Sequence, residues 1–579
     1  MGSGGAPAHR GEKERGGPEN HSTTTAPLTE STKHDQTMNR HITRRTILRR
    51  TTAAVASGIF SPRILTGAPR LDNSHGYVVG EPGVEGIGAK ILADGGNAFD
   101  AIVATALAGA VTQPHQTGIG GYAAHAMLAY DGGRRIIAVD ANSTAPAAMR
   151  ADTFKPDADG NVPGRINEHG WLASGVPGLI AGLHLIVQKF GTRPFSEALR
   201  PAIGLLREGF LVPAGPLRAA AAQMARDPGS RKLYYPNGDS LPDGSISKNP
   251  DLAELLETLA KANSVEPFYR GDIAQRIAEG FQKNGGLVTT QDLAAYQARL
   301  VEPISFNWDA QTVHTCPLTC GGVTMLQMLA LLRALDWEKM PAGLTRTHTQ
   351  IEAMRLAWHD RLTLLGDPEF VNVPQTKLLS EDYSHECAEK IQATVKAGKL
   401  LAHAVTPQDH GGTLNFSAMD EQGNFAALTL THGNAFGAQV TVDGLGLTLG
   451  HGMSRFDPHP GHPNAPGPGK KPLHNMAPTL ITRGGQPIIA VGGRGGRKIP
   501  NSIFQFLTQS VVLSQSFDAS MNASRIHTEG GLLVEFEKTW PESETTALKK
   551  IGYDVKTNAT AATLSAVALE EGAMRAAMR

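Results

Sequence analysis

The pattern of apolar positions changes at about residue 412. Before it, residues 97–111 form a small apolar run that predicts a buried helix, and 178–225 and 248–283 carry apolar residues at helical spacing with polar faces. After it, short apolar and alternating runs bounded by glycine and polar clusters predict strands. From about Tyr77 onward the chain therefore has the pattern of an α/β protein.

The other elements follow from the same periodicities. Strands are predicted at 122–130 and 135–140, helices at 323–336, 347–365 and 376–400, a loop at 401–412, strands at 479–482 and 487–492, and a helix at 500–515.

A hairpin is predicted directly after residue 412. Residues 413–419 and 425–431 are strand-like and flank a cluster of turn residues, which is a hairpin signal. If Met419 pairs with Phe425, counting back along both strands pairs Thr413 with Thr431. Directly opposed residues have Cβ atoms about 5 Å apart, whereas a one-residue slip would place the two on opposite faces.

Charge and cysteine content exclude some classes of function. Lysine plus arginine equals aspartate plus glutamate at 54 each, so no nucleic-acid footprint is indicated. The three cysteines are Cys316, Cys320 and Cys387, an odd number that argues against a disulfide framework. Cys316 and Cys320 do not have redox CxxC spacing and are interpreted as structural.

The N-terminal region has the composition of an extension and an export signal. Residues 1–37 are polar and are predicted to be disordered. Residues 38–70 contain Thr43 and the paired arginines Arg44 and Arg45 before a mildly apolar stretch, a pattern typical of a twin-arginine signal. We predict export to the periplasm without a stable membrane span, because the apolar stretch is too short to cross a bilayer. The alternative is a basic tail without function.

A series of short motifs then carries a family resemblance. They lie, in order, at 95–101, 118–121, 175–178, 207–210, 268–271, 285–287, 292–296, 321–322, 412–413, 416–417, 420, 423–424, 429, 431, 471–473, 476, 478 and 495–496. Together, over residues 80–515, they resemble the γ-glutamyltransferase family of N-terminal-nucleophile hydrolases, also called γ-glutamyltranspeptidases or glutathione hydrolases. The last 60 residues show little of this resemblance.

The resemblance implies a four-layer αββα sandwich and a precursor that cuts itself between Gly412 and Thr413. The large chain would span 75–412 and the small chain 413–579. It also implies that the hydroxyl of Thr431 bonds the nucleophile and that Gly495 and Gly496 form an oxyanion hole. Alternatively, Thr413 and Thr431 are ordinary strand residues, and Gly495 and Gly496 only form a tight turn.

The chemistry of Thr413 agrees with this implication. A threonine hydroxyl needs a base, and an N-terminal threonine carries one in its α-amine, whose pKa of about 7.7–8 lies close to working pH. The amine is free only if the bond before Thr413 is cut. Gly412 has no side chain and leaves room for the strained turn of an N-to-O acyl shift.

The residues that would contact the substrate depart from the family pattern. Asn142 stands where the family has an arginine that grips a carboxylate, and Arg455 where it has an aspartate that grips an α-amine. His474 and Asn475 replace a serine pair, and Gly433, followed by Asn434, replaces a polar glutamyl contact. Arg455 would repel an ammonium group and attract a carboxylate. An alternative interpretation makes Arg455 a surface residue.

Other chemistries are set aside. His451, His459 and His462 lie in a Pro/Gly-rich loop without the spacing of a zinc site, and Gly492–Gly496 lacks the ending of a P-loop. We expect no metal and no cofactor.

The predicted function is cleavage of γ-glutamyl or related amides through a threonyl ester, with the acyl group passing to water or an amine. The predicted partners are a small-molecule amide and the two chains of one precursor, and not nucleic acid. One alternative is an amidohydrolase of a dicarboxylate half-amide, such as an oxamate-like or glutaryl-like amide. The other is an inactive exported binding protein with the same fold.

Overall fold

The computed structural model of the chain describes residues 73–402 and 412–579. The predicted N-terminal extension and export signal lie outside these residues, as does most of the predicted loop at 401–412.

The strands alternate with helical segments through the first part of the chain and dominate the second. They are β1 Gly76–Val79, β2 Ala123–Tyr130, β3 Arg135–Ala141, β4 Phe210–Leu211, β5 Ile246–Ser247, β6 Arg299–Val301, β7 Ile304–Trp308, β8 Gln311–Thr315, β9 Thr413–Asp420, β10 Phe425–Thr431, β11 Thr441–Val442, β12 Leu447–Thr448, β13 Thr479–Arg483, β14 Gln486–Arg494, β15 Ile526–His527, β16 Leu533–Phe536, β17 Asp554–Lys556, β18 Thr563–Glu570 and β19 Ala573–Met578.

The α-helices are α1 Glu85–Ala93, α2 Ala98–Thr112, α3 Leu179–Phe190, α4 Phe195–Glu208, α5 Ala214–Met224, α6 Pro228–Tyr234, α7 Pro250–Ala262, α8 Glu266–Arg270, α9 Asp272–Lys283, α10 Thr290–Ala295, α11 Gly322–Ala334, α12 Leu344–Leu364, α13 Gln375–Leu378, α14 Glu381–Lys396, α15 Lys498–Leu507, α16 Phe517–Asn522 and α17 Glu542–Ile551.

Two six-stranded sheets face each other at the centre of the molecule. Their strand orders are β1-β9-β10-β2-β3-β6 and β19-β18-β14-β13-β8-β7, and every pairing is antiparallel. Strands β9 and β10 pack on β14, and an apolar core that includes Met127, Met419 and Leu480 lies between the sheets. Helices α2 and α3 cover the outer face of the first sheet, and α11 and α15 that of the second. The predicted αββα sandwich is confirmed.

Helix α2 packs against the outer face of the first sheet. Its start is fixed by a capping box, in which the Asn97 side chain accepts from the backbone N–H of Asp100 and the Asp100 side chain accepts from that of Asn97. Every residue from Ala98 to Val111 is buried, as the small apolar run predicts. Small side chains let this helix lie close to β9.

The β9–β10 hairpin has the predicted register. Met419 is opposite Phe425, and Thr413 is opposite Thr431. The turn is held by Asp420, whose carboxylate accepts from the backbone N–H of Asn424 at 2.9 Å and from its side-chain amide at 2.8 Å. Because β9 lies between β1 and β10, Thr413 begins a strand with neighbours on both sides.

Some element boundaries differ from the predictions. The predicted helix at 376–400 is two helices, because the Ser380 side chain accepts from the backbone N–H of Tyr383 and starts α14 afresh. The predicted strand at 487–492 continues to Arg494, because Gly492 and Gly493 pair with β18. Within residues 73–402 and 412–579, none of the helices combines the length and apolar character needed to cross a membrane.

Candidate active site

Thr413 and Thr431 meet at the open end of the hairpin. Both are buried, with exposed fractions of 5% and 2%. Their hydroxyl oxygens are 3.1 Å apart. The sheet register brings the two hydroxyls together, since directly opposed residues point to the same face.

The peptide bond before Thr413 is held by two donors. The carbonyl of Gly412 accepts from the hydroxyl of Thr431 and from the backbone N–H of Gly433, the latter at 3.1 Å. Since the Thr431 hydroxyl donates its proton to this carbonyl, the Thr413 hydroxyl is the donor in the contact between the two threonines. Attack of the Thr413 oxygen on Gly412 would place negative charge on an oxygen that already faces two donors.

Gly412 lies against the backbone of Asn434. A Cβ atom at 412 would be 2.6 Å from the carbonyl oxygen of Asn434 and 2.7 Å from its carbonyl carbon. Only glycine fits here without a backbone shift. Asn434 thus contributes its main chain to the position of the bond, and its own carbonyl accepts from Gly437 N–H at 2.8 Å.

We expect Gly412→Ala to slow maturation by about 100-fold, because displacing a reacting carbonyl by about 1 Å costs that much. The measurement is the fraction of cut chain over time on a denaturing gel. Gly204→Ala is the control, since a Cβ there has no heavy atom within 4 Å. Maturation of Gly412→Ala at the normal rate would contradict the tight fit.

Gly495 and Gly496 follow the end of β14, which lies over the start of β9. A side chain at Gly492 would run into the amide of Asn415, two residues after Thr413. Gly495 and Gly496 have φ angles of +135° and +61°. Glycine adopts these angles without strain. The turn leads into α15, which begins at Lys498.

The model of the family described as "Gamma-glutamyltranspeptidase" matches residues 85–578. The chain belongs to this family. The match runs well past residue 515 and includes most of the last 60 residues, in which the sequence motifs are sparse. Strands β18 and β19 complete the second sheet of the fold and explain why the match continues.

Relatives of this family include hydrolases and acylases. The chain is 33% identical to the glutathione hydrolase proenzyme of Escherichia coli (strain K12), over 76% of this chain and 78% of the relative. It is also 33% identical to the acylase ACY 1 proenzyme of Pseudomonas sp. (strain V22), over 83% and 87%.

Solved structures show the same fold. The cephalosporin acylase of Bacillus halodurans aligns with a TM-score of 0.77 at 27% identity, covering 87% of this chain and 94% of that one. The γ-glutamyltranspeptidase of Helicobacter pylori aligns with a TM-score of 0.50 at 31% identity, covering 56% and 92%.

One wall of the site is built around Gly433. Its φ of +95° favours glycine, and a Cβ there would overlap the imidazole of His451 and lie 3.0 Å from the ring of Tyr122. His451 Nδ1 lies 3.1 Å from the carbonyl oxygen of Glu168. Sequence reasoning considered His451 only as a metal ligand and missed Tyr122, because no periodicity links either residue to Gly433.

Arg455 reaches the same wall. Its guanidinium Nη2 donates to the carbonyl oxygen of Gly433 at 2.7 Å, and the side chain is half-buried. Among residues 73–402 and 412–579, no carboxylate forms an ion pair with it. Burial raises the pKa of the neighbouring Tyr122 phenol, so this hydroxyl supplies no negative charge. Arg455, a cation without a carboxylate partner among the described residues, therefore contacts Gly433, two residues after Thr431.

Asn142, His474 and Asn475 form a second group. The Asn142 amide donates to the Thr319 hydroxyl at 2.7 Å, and the backbone N–H of His474 donates to the Thr319 carbonyl at 3.1 Å. The Arg361 guanidinium donates to the His474 carbonyl at 2.6 Å and to Asn475 Oδ1 at 3.3 Å.

The side chains of Asn142 and Asn475 hydrogen-bond within the protein, whereas His474 does so mainly through its backbone. Asn142 and His474 are buried, with exposed fractions of 1% and 2%. Burial, with the nearby His125 and Arg361, holds the pKa of His474 well below its usual range, so its ring is neutral. Contact of these residues with substrate stays a prediction, and Asn475, which is only half-buried, is the most accessible of the three.

Proposed function

We propose that the protein is an autoprocessing amidohydrolase and acyltransferase that cleaves γ-glutamyl or related amide bonds. The observation that carries the proposal is the contact of the Thr413 and Thr431 hydroxyls beside the Gly412 carbonyl. The relatives named as hydrolase and acylase proenzymes support an enzyme over an inactive binding protein with the same fold.

Maturation would proceed in two steps. The Thr413 oxygen attacks the Gly412 carbonyl carbon, the C–N bond breaks, and the nitrogen gains a proton to become a free amine. Water then cleaves the resulting ester, which leaves a carboxylate on Gly412 and restores the hydroxyl of Thr413. The donors from Thr431 and Gly433 stabilise the charge that develops on the Gly412 oxygen.

Turnover would use the same hydroxyl. The new α-amine accepts the proton of the Thr413 hydroxyl, directly or through water, and the oxygen attacks the substrate amide carbonyl. The amine product leaves with a proton, and water or an acceptor amine takes the acyl group from the threonyl ester. The backbone N–H groups of Gly495 and Gly496 are the proposed oxyanion donors.

A denaturing gel with N-terminal sequencing tests this function. The purified protein should give two bands, with the shorter chain beginning at Thr413, and should hydrolyse a γ-glutamyl anilide. One uncut band without turnover would favour the inactive binding protein. An uncut chain that hydrolyses amides would overturn the proposed nucleophile.

A second candidate substrate is a dicarboxylate half-amide, whose acyl group carries a carboxylate but no α-amine. The specific observation in its favour is Arg455, a half-buried cation without a carboxylate partner among the described residues. A buried charge is costly unless an ion of opposite sign pairs with it. Two curated relatives and one similar solved structure carry the word acylase in their names, which agrees with a range of acyl groups in this family.

We expect Arg455→Gln to lower kcat/KM for a glutaryl or oxalyl anilide by about 10- to 100-fold, the effect of losing a charged hydrogen bond of about 1.5–3 kcal/mol. Activity on the γ-glutamyl anilide should fall less or rise. Arg483→Gln, at an exposed strand end, is the control. If wild type clearly prefers γ-glutamyl anilide and Arg455→Gln weakens all anilides equally, the carboxylate role of Arg455 is wrong.

Export to the periplasm stays a prediction. It rests on Thr43, Arg44 and Arg45, which lie outside the described residues. The proposed partners are a small-molecule amide, water or an acceptor amine, and the large and small chains of the same precursor.

A further inference from the structure

A buried cluster of His125, Cys320 and His474 lies between the two sheets. One ring nitrogen of each histidine and the sulfur of Cys320 all lie within 4.8 Å of one another. The exposed fractions of the three residues are 1%, 1% and 2%. His125 comes from β2, Cys320 from the turn before α11, and His474 from the segment before β13. The cluster therefore joins three separate parts of the chain.

The polar atoms of this cluster are poorly satisfied by the protein. His125 Nε2 is buried and has no hydrogen-bond partner among the described residues. The contact between Cys320 Sγ and His474 Nε2 is 3.7 Å, and the two imidazole rings are tilted by 32° with their centroids 4.4 Å apart. A buried polar atom without a partner costs about 1–3 kcal/mol, so a ligand that satisfies it is favoured.

The orientation of His125 matches that of a metal-ligating histidine. Its Nδ1 lies 3.2 Å from the carbonyl oxygen of Val139, the distance of an N–H donating to a backbone acceptor. With the proton on Nδ1, the lone pair is on Nε2. Metal-ligating histidines usually donate their second N–H to a carbonyl or carboxylate in this way.

A second thiol lies next to the first. Cys316 precedes Cys320 by four residues and is buried, but its sulfur is not part of the group of ligand atoms that lie within 4.8 Å of one another. The Cys316 thiol makes a weak donation to the Ala126 carbonyl at 3.5 Å. One thiolate and two imidazoles are the types of donor that zinc prefers.

The distances allow a zinc ion with small side-chain rotations. Zinc–sulfur and zinc–nitrogen bonds of about 2.3 and 2.0–2.1 Å place tetrahedral ligand atoms about 3.3–3.6 Å apart. The separation of 3.7 Å between Cys320 Sγ and His474 Nε2 is within about 0.2 Å of this range. The other separations, which lie within 4.8 Å, would have to shorten by at most about 1.5 Å.

We propose that His125, Cys320 and His474 bind one zinc-type divalent cation in a buried site between the two sheets. Binding replaces the proton of the Cys320 thiol, which is released to solvent. The cation would tie the first sheet to the segment that carries Asn475. No sequence pattern indicates this site, because its ligands are spread from residue 125 to residue 474.

Metal content of the full-length protein tests the proposal. Protein produced with zinc supplementation and dialysed against metal-free buffer should retain one zinc ion per chain. Cys320→Ser should lose it, whereas Cys387→Ser, which removes a buried cysteine outside the cluster, should keep it. Wild-type protein that retains no zinc would overturn the proposal, as would unchanged zinc content in Cys320→Ser.

Cobalt substitution gives a readout that does not depend on variant stability. Wild-type protein refilled with Co²⁺ should show thiolate-to-cobalt charge-transfer absorption and the strong visible bands of tetrahedral cobalt. Cys320→Ser should lose the charge-transfer band, because its thiolate is the one bound to the metal, whereas Cys316→Ser should keep it. Cobalt bound without any thiolate band would place the metal elsewhere and refute this site.

Discussion

Replacement of Thr413 by alanine should leave the protein as one uncut chain without amidase activity. The variant lacks the hydroxyl oxygen of Thr413, which in the proposed mechanism attacks the Gly412 carbonyl during maturation and forms the acyl ester during turnover. Loss of a nucleophile lowers kcat by at least about 10⁴-fold in enzymes that form covalent intermediates. A time course on a denaturing gel measures processing, and anilide hydrolysis measures turnover.

Two companion experiments separate the two roles of Thr413. Thr413→Ser keeps a hydroxyl and should still mature and turn over, with altered rates. The Thr413→Ala variant, cut before position 413 by an added protease at an inserted site, has a free α-amine but no hydroxyl, and should remain inactive. Activity in this pre-cut variant would show that another group performs the acyl transfer.

Thr431→Val should slow maturation by about 10²–10³-fold, the cost of losing one oxyanion donor. Valine keeps the shape of threonine but removes the hydroxyl that donates to the Gly412 carbonyl and accepts from Thr413. The rate of appearance of the small chain, followed from newly made precursor, is the measurement.

Thr429→Val is the matched control for this change. Thr429 lies on the same strand, is equally buried, and bonds Asn415 rather than Thr413. It should lose stability without a comparable loss in the maturation rate of the folded fraction. Equal slowing of both variants would mean that the hydroxyl of Thr431 acts only through folding.

The parts of the site that depend on local pairing were predictable from sequence. A short turn fixes hairpin register, so the opposition of Thr413 and Thr431 could be counted from the pattern. The contact between Arg455 and the Gly433 carbonyl could not, because the intervening residues are mostly irregular loop and have no period. The family resemblance marked both positions but did not give the geometry between them.

The sheets also bring together residues that are far apart in the sequence and that no local sequence pattern pairs. The rings of His125, on β2, and His474, in the segment before β13, are in contact with centroids 4.4 Å apart. Such contacts depend on which strands neighbour which, and that order was not derivable from periodicity. By contrast, the capping residues that divide α13 from α14 were present in the sequence, and Ser380 would have marked the second start.

The strand order determines how the two chains would stay associated after cleavage of the peptide bond between Gly412 and Thr413. Strand β1 pairs with β9, β2 with β10, and β8 with β13, so each sheet takes strands from both sides of the break. The two polypeptides would be interwoven, because neither contains all the strands of either six-stranded sheet. Scission would thus be a nick in one cooperative body, which exposes a new amino group while the surrounding scaffold stays in place.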